Sequence, residues 1–375
     1  MRPTDRAYIK VDKILKQVKN QGQKFTIFGG EPLLTPIAVL DEFFKFGYEN
    51  YKENGVQTNG TLLTQAHMDM FKKYNVHVGV SCDGPGELSA ARESRSGPQY
   101  TKATTLQTTE AIDKLLAAGI RCSLIITLHS DNARGDGLDR LVEWLTDLAS
   151  KGLRSARLHL MELDNPEKSA RLVLTPEENA AAVLRLSGIK GISFDILDEM
   201  RRNLLNDFSR SSCVWHGCDP YTTPAVVGID ADGTLSNCGR VNKEGVNYRK
   251  SDTPGRERLV GLYRTPYREG GCGGCRFFLA CKGQCPGTGE GGDWRNRTSH
   301  CGTLLILFEK LEQDLLMEGK KPVSQWENRE DLERAIVEPV SSAHGDVHED
   351  WHADVPHGDI WHVPVGRPDD ENAVG

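Results

Sequence analysis

Apolar residues recur at helical spacing through the opening segment, at Ile9, Val11, Ile14, Leu15 and Val18, which predicts a first helix over residues 5–21 that stops at Gly22. The run from Lys24 to Phe28 is short, β-branched and aromatic, and it closes on Gly29-Gly30-Glu31-Pro32, the pattern of a strand that ends in glycines. Two periods then alternate. Strands are predicted near 54–58, 76–82, 121–129 and 156–163, and helices near 36–47, 64–73, 104–118, 136–150 and 175–187. Such alternation implies a parallel sheet. A charged helical pattern covers 311–337, with an apolar stripe through Leu311, Leu315 and Leu316 that is expected to pack on the neighbouring cysteine-rich module. After Pro339 the periodicity dissolves. His344, His348, His352, His357 and His362 alternate with acidic residues and are interrupted by glycine and proline, so the tail is expected to be disordered, with a solvated acidic segment and divalent-metal uptake through its five histidines both open.

Each predicted strand ends in polar or glycine chemistry: Gly29-Gly30-Glu31-Pro32, then Gln57-Thr58-Asn59-Gly60, then Ser81-Cys82-Asp83-Gly84-Pro85, then His129-Ser130. Barrels carry their sites at that end of the strands, where glycines admit a ligand to the backbone and short polar side chains supply donors and acceptors. Any one of these steps alone is ordinary turn chemistry.

The chain has 375 residues, room for one barrel and a smaller module, since domains run to about 100 to 200 residues and α/β barrels to about 250. Four thiols fall within Cys272–Cys285, spaced C-x2-C-x5-C-x3-C and followed by Pro286, a density that reads as a cluster or metal site. Cys213, Cys218, Cys238 and Cys301 lie nearby, so eight of the ten cysteines suit two four-thiolate centres. Structural zinc is the alternative, because four-thiolate zinc sites share such spacings. Without a secretory pattern these thiols read as ligands in a reducing cytoplasm rather than as disulfides. No stretch is apolar enough to span a membrane. The formal net charge of -7 comes mainly from the tail, and the balanced body gives no electrostatic footprint for nucleic acid. Cys122 sits in an apolar strand and reads as core. Cys82 lies on the rim, where packing or contact with a cofactor are both open.

Taken together, GGEP at 29–32, QTNGTLL at 57–63, SCDGP at 81–85 and the cysteine pattern resemble a radical S-adenosylmethionine protein with a SPASM domain, over about residues 5–310. The resemblance implies an α/β fold in which a partial (β/α)6 TIM-like barrel is followed by a small iron–sulfur domain. It divides the chain into a barrel at 1–205, a SPASM domain with its C-terminal helix at 206–335, and the tail at 336–375. By the same resemblance Gly29, Gly30 and Glu31 meet the amino group of S-adenosylmethionine, Gln57, Thr58 and Asn59 line the rim, and Ser81, Asp83 and either Arg92 or Arg95 hold ribose or carboxylate. It also implies that Cys213, Cys218, Cys238 and Cys285 hold one auxiliary [4Fe-4S] cluster and Cys272, Cys275, Cys281 and Cys301 the other.

The family makes its radical at a further [4Fe-4S] cluster on C-x3-C-x2-C, and this sequence contains no such triplet. The chain is therefore expected to be truncated ahead of Met1 and inactive as it stands. The resemblance implies radical modification of a peptide or protein, with flavodoxin or ferredoxin as reductant. A sulfatase-maturase activity is one alternative. In that group an Asp after the second SPASM cysteine acts as base, whereas Gly239 and Arg240 follow Cys238 here. A catalytically dead iron–sulfur scaffold or electron-transfer module is the other. His129, at a strand end, could face the pocket, and no catalytic residue is assigned.

Overall fold

The computed structural model describes residues 9–93, 97–162, 170–219, 226–236, 238–241 and 256–337. The expectations for residues 5–8, for Arg95 and for the tail beyond 337 lie outside the described residues.

Six parallel strands lie side by side in chain order: β1 (Thr26–Ile27), β2 (Asn54–Thr58), β3 (Val76–Ser81), β4 (Cys122–Leu128), β5 (Ser155–Leu160) and β6 (Ser193–Phe194). Strictly sequential order, with a crossover between each pair, is the winding of a partial barrel, since right-handed connections carry every helix to the same face. Those connections include α2 (Ile37–Tyr51), α3 (Gln65–Lys73), α4 (Pro98–Ala117), α5 (Gly135–Ser150) and α6 (Pro176–Ser187). The opening helix α1 (Val11–Gln21) ends on Gly22 in the left-handed region, φ 66°. The elements expected in the barrel are present, with α1 beginning at Val11 and α4 at Pro98 rather than near 104. The sequence pattern does not announce β6 or the helix α7 (Asp195–Leu204) that succeeds it.

Alternation along the strands sorts the two faces. Val56, Val78, Val80, Leu124, Ile126, Leu158 and Leu160 are buried in one apolar core under the helices. The opposite face carries Gln57, Ser81, Thr127, Arg157 and His159, all half-buried. A packed barrel interior would be branched and apolar, so this polar face is suited to a ligand.

Beyond residue 205 come the hairpin β7 (Gly228–Ile229) with β8 (Leu235–Ser236), then α8 (Glu257–Arg264), α9 (Phe278–Cys281), α10 (Cys301–Met317) and α11 (Arg329–Val337). The helical pattern expected over 311–337 is broken between Met317 and Arg329, and its stripe is corrected in two respects. Leu311 and Leu315 are buried but Leu316 is 47% exposed, and α10 packs against the barrel helices α6 and α7. The barrel core is accordingly continuous with Trp215, Phe277, Leu304, Leu307 and Phe308. The hairpin meets the N-terminal end of the chain: the Lys10 N–H donates to the Ala231 carbonyl at 2.7 Å. Gly233, at φ 85°, lies so close that a Cβ there would stand 2.6 Å from Cβ of Lys13.

Candidate active site and two thiol centres

Gly29 and Gly30 both take positive φ, 95° and 57°, and turn the chain back over the sheet after β1. Glu31 then caps the short 3₁₀ turn Pro32–Leu34, its Oε1 accepting from the Leu33 N–H at 3.0 Å. The same carboxylate accepts from the Thr58 hydroxyl at 2.5 Å and from the Asn59 N–H at 2.9 Å. Two of the predicted rim segments are thus clamped together by Glu31. Gln57 donates through Nε2 to Ser81 Oγ at 2.9 Å. Its amide passes over Gly79, where a Cβ would stand 2.1 Å from Oε1, so glycine is required for that approach.

Asp83 is 2% exposed and fully engaged. Arg92 donates to it twice, from Nη2 and from Nε, each at 2.7 Å, and the Thr127 N–H donates at 2.8 Å. Asn132 donates from Nδ2 to the carbonyls of Asp83 and Thr127, both at 2.9 Å. Of the two candidate arginines, Arg92 is the one that meets Asp83, and Arg95 is outside the described residues. Cys82 is packed, its thiol turned to the Gly84 carbonyl at 3.6 Å. Cys122 is buried as expected, and burial pushes its thiol up to about 12.

His129 is 1% exposed, with Nε2 3.9 Å from Asp83 Oδ2. Burial holds it below the ordinary histidine range against the opposing pull of Asp83. His159, beside Thr127 in the sheet, is held well below that range by burial and by the charges of Arg240, Arg157 and Arg92. Both stay neutral in the folded chain at pH values where the unfolded chain takes up protons. Their stabilising contribution is therefore complete above about pH 6.5 and is lost as the pH falls below it. The urea midpoint of the chain should be lower near pH 5 than near pH 7.5, and replacing both histidines with glutamine should shrink that difference. An unaltered difference in the double variant would contradict the assignment.

Contacts outside the motifs join the barrel to the cysteine-rich region. Arg240 pairs with Glu162 just past β5, while Arg157 pairs within the barrel with Asp195 at the start of α7. Glu199, on α7, accepts from the Ser212 N–H at 3.2 Å, the Ser212 hydroxyl at 2.8 Å and the Trp215 indole N–H at 2.5 Å. Burial and then the charge of Asp195 push the Glu199 carboxyl upward. These contacts fix the 3₁₀ turn Cys213–Trp215 on the barrel.

The thiols fall into two groups. Cys213 feels Cys218, Cys285 and Cys238 as its sulfur neighbours, and its own thiol is pushed far up, first by burial. Cys281 feels Cys272, Cys301 and Cys275. The second four line one small cavity with Phe277 and Phe308. Among the described residues no three His, Cys, Asp or Glu side chains converge tightly enough for a single metal ion. Four thiols spread around a cavity suit a group with several metal corners. One zinc ion, with bonds of about 2.3 Å, would need them drawn together.

Residues 2–156 match the radical SAM superfamily. The chain is 33% identical over 119 residues to a serine-type anaerobic sulfatase-maturating enzyme of Bacteroides thetaiotaomicron, covering 29% of this chain and 27% of that protein. It is 31% identical over 86 residues to a cysteine-type anaerobic sulfatase-maturating enzyme of Clostridium perfringens, covering 21% and 23%. The chain thus aligns with about a quarter of the length of these curated relatives. Its fold is similar to that of native anSMEcpe with bound AdoMet and the Cp18Cys peptide, with a TM-score of 0.62, 18% identity, and coverage of 82% of this chain and 89% of that one. Among the described residues no helix is long and apolar enough to cross a membrane.

Proposed function

We propose that this chain, whose residues 2–156 match the radical SAM superfamily, binds S-adenosylmethionine across the ends of β1 to β4, holds two iron–sulfur clusters on its eight thiols, and serves the radical modification of a peptide or protein. One observation carries the reading: eight cysteines scattered over residues 213–301 gather into two groups of four, interleaved in sequence, beside a polar strand-end rim. A cluster on C-x3-C-x2-C, which this sequence lacks, would with the sulfonium supply the electron and the radical, chemistry that ordinary side chains lack, and the two thiol centres would be auxiliary to it. Everything else falls to the protein. Gly29, Gly30 and Glu31 form the turn against which the amino group rests. Gln57, Thr58 and Asn59 line the rim, and Ser81 with the Asp83–Arg92 pair faces the ribose and carboxylate.

Gly79→Ala should displace Gln57 from Ser81 and weaken S-adenosylmethionine binding about tenfold, or about 1.4 kcal/mol, in equilibrium dialysis. Unchanged affinity would remove Gln57 and Ser81 from the site.

The sequence holds no C-x3-C-x2-C, and Cys281 and Cys285, which share the first spacing, stand in the two thiol groups. Incubated with S-adenosylmethionine and dithionite, the chain should form no 5′-deoxyadenosine, and it should do so once a segment carrying that triplet is joined ahead of it. Product from the chain alone would show that its catalytic cluster has been misassigned. No product from the joined protein, with all clusters loaded, would favour the electron-transfer scaffold. Oxidation of a sulfatase residue is the second reading, favoured by the relatives named above. Against it, Gly239 and Arg240 follow Cys238, and Arg240 pairs with Glu162. A reducing cytoplasm with flavodoxin or ferredoxin as donor suits either reading.

A further inference from the structure

Arg258, in the first turn of α8, is 2% exposed. Its guanidinium donates only to backbone carbonyls: Nε to Trp294 at 2.7 Å, Nη1 to Cys218 at 3.2 Å and Gln284 at 3.0 Å, Nη2 to Gly283 at 3.3 Å and Asn296 at 3.0 Å. These five bonds match the five N–H groups that a guanidinium carries. The carbonyls belong to the loop of Cys218, the loop between Cys281 and Cys285, and the loop that leads to Cys301.

Carbonyl dipoles solvate a guanidinium without neutralising it, and arginine stays charged in a protein interior. Among the described residues no carboxylate forms an ion pair with Arg258. Asp219 turns Oδ2 instead to the Arg258 backbone N–H, at 3.1 Å. Burial opposes the charge of the guanidinium, and the ionisable groups that favour it most are Cys218, Cys285 and Cys272, with Asp219 after them. Two of those sulfurs belong to one group of four and the third to the other. Arg297 makes the contrast: it also lies by the second group, yet Glu290 pairs with it at 3.0 Å.

We propose that Arg258 is the counter-charge shared by both thiol centres and sets the reduction potential of each upward. The inference rests on the reading of those centres as iron–sulfur clusters. Reduction adds one electron from an external donor and makes or breaks no bond, so the cluster gains negative charge in a dry interior where a fixed cation opposes the cost. Arg258 thus acts as a positioning residue through its carbonyl bonds and as an electrostatic one through its charge. The two roles separate by substitution.

The test uses wild type, R258K, R258Q and R258M, each loaded anaerobically with iron and sulfide, counted for iron, and titrated with dithionite while the reduced-cluster resonance signals are followed. In R258Q and R258M both midpoints should fall, with at least a tenfold loss in the ratio of reduced to oxidised cluster at fixed potential, about 59 mV for a one-electron couple. R258K should hold the wild-type midpoints while melting at a lower temperature. If the neutral variants take up no iron and R258K does, the charge is required for assembly, which also supports the proposal. Unchanged midpoints in R258M, or failure of R258K to load alongside the neutral pair, would overturn it, because the fork and not the charge would then be what the site needs. Wild-type iron content reports separately on the cluster reading, since about two zinc and no iron would end that reading whatever the variants do.

Discussion

Replacing Cys272 and Cys275 together with alanine should lower the iron bound after anaerobic reconstitution from about eight atoms per chain to about four, the count for two cubanes reduced to one. Both thiols line the cavity between α9 and α10. Burial, then Cys275 and Cys301, push the Cys272 thiol up to about 12. An empty site is therefore protonated, and loading must release those protons, so uptake should also weaken as the pH is lowered. Small cysteine-rich units draw much of their folding energy from bound metal, and the double variant should lose thermal stability as well. Single replacements sharpen the test. Cys281→Ala and Cys285→Ala are four positions apart, yet they should remove different clusters, because Cys285 groups with Cys213 and Cys281 with Cys272. If the two single variants lose the same cluster, the interleaving is wrong.

Asp83→Ala should destabilise the barrel by about 1 to 3 kcal/mol, the usual consequence of leaving a buried donor unsatisfied, since the Arg92 side chain is 36% exposed and water can take over part of its charge. Asp83 has a side chain only 3% exposed, and its loss strands the Arg92 guanidinium and the Thr127 N–H at once. Asp83→Asn keeps the acceptor for Thr127 but turns an N–H group toward Arg92, so it should fall between alanine and wild type. The rim also loses the group that holds Arg92 in place, and S-adenosylmethionine affinity should drop at least tenfold in both variants, about 1.4 kcal/mol. Urea unfolding and equilibrium dialysis read the two effects separately. A variant that unfolds like wild type would show that Arg92 is held by something other than Asp83.

Much of the barrel is legible in the sequence because β2 to β5 are long enough to show a period. Thr26–Ile27 is marked by its glycine turn. Ser193–Phe194 is not marked at all, since two residues carry no period, and α7 beyond it is charged along much of its length. The rim segments are legible as a set, and the structure adds which of them touch: Glu31 with Thr58 and Asn59, Gln57 with Ser81, Asp83 with Arg92. The partition of the cysteines comes from resemblance, because spacing alone gives no reason for Cys285 to leave its neighbours. Arg258 is invisible in the sequence. In Glu257–Arg264 an arginine next to a glutamate reads as a solvated helix face, and only the folding of three loops around it shows that it is buried. Arg157, Glu199 and His159 escape for a related reason: a charged residue inside a strand or helix signals burial only through its partners.

The clasp between Lys10 and Ala231 has a consequence for how the chain is made. Its two halves are 221 positions apart, and at about 5 to 20 residues per second a ribosome needs roughly 10 to 40 s to supply the second after the first. During that interval the apolar patch of Ile9, Val39 and Phe43 has its early neighbours Val11, Ile14, Leu15 and Phe25 but lacks the cover that Ala231 adds. Nascent chains arrested before the hairpin emerges should be captured by a holdase and cut readily near α1, and both should cease once β8 has cleared the exit tunnel.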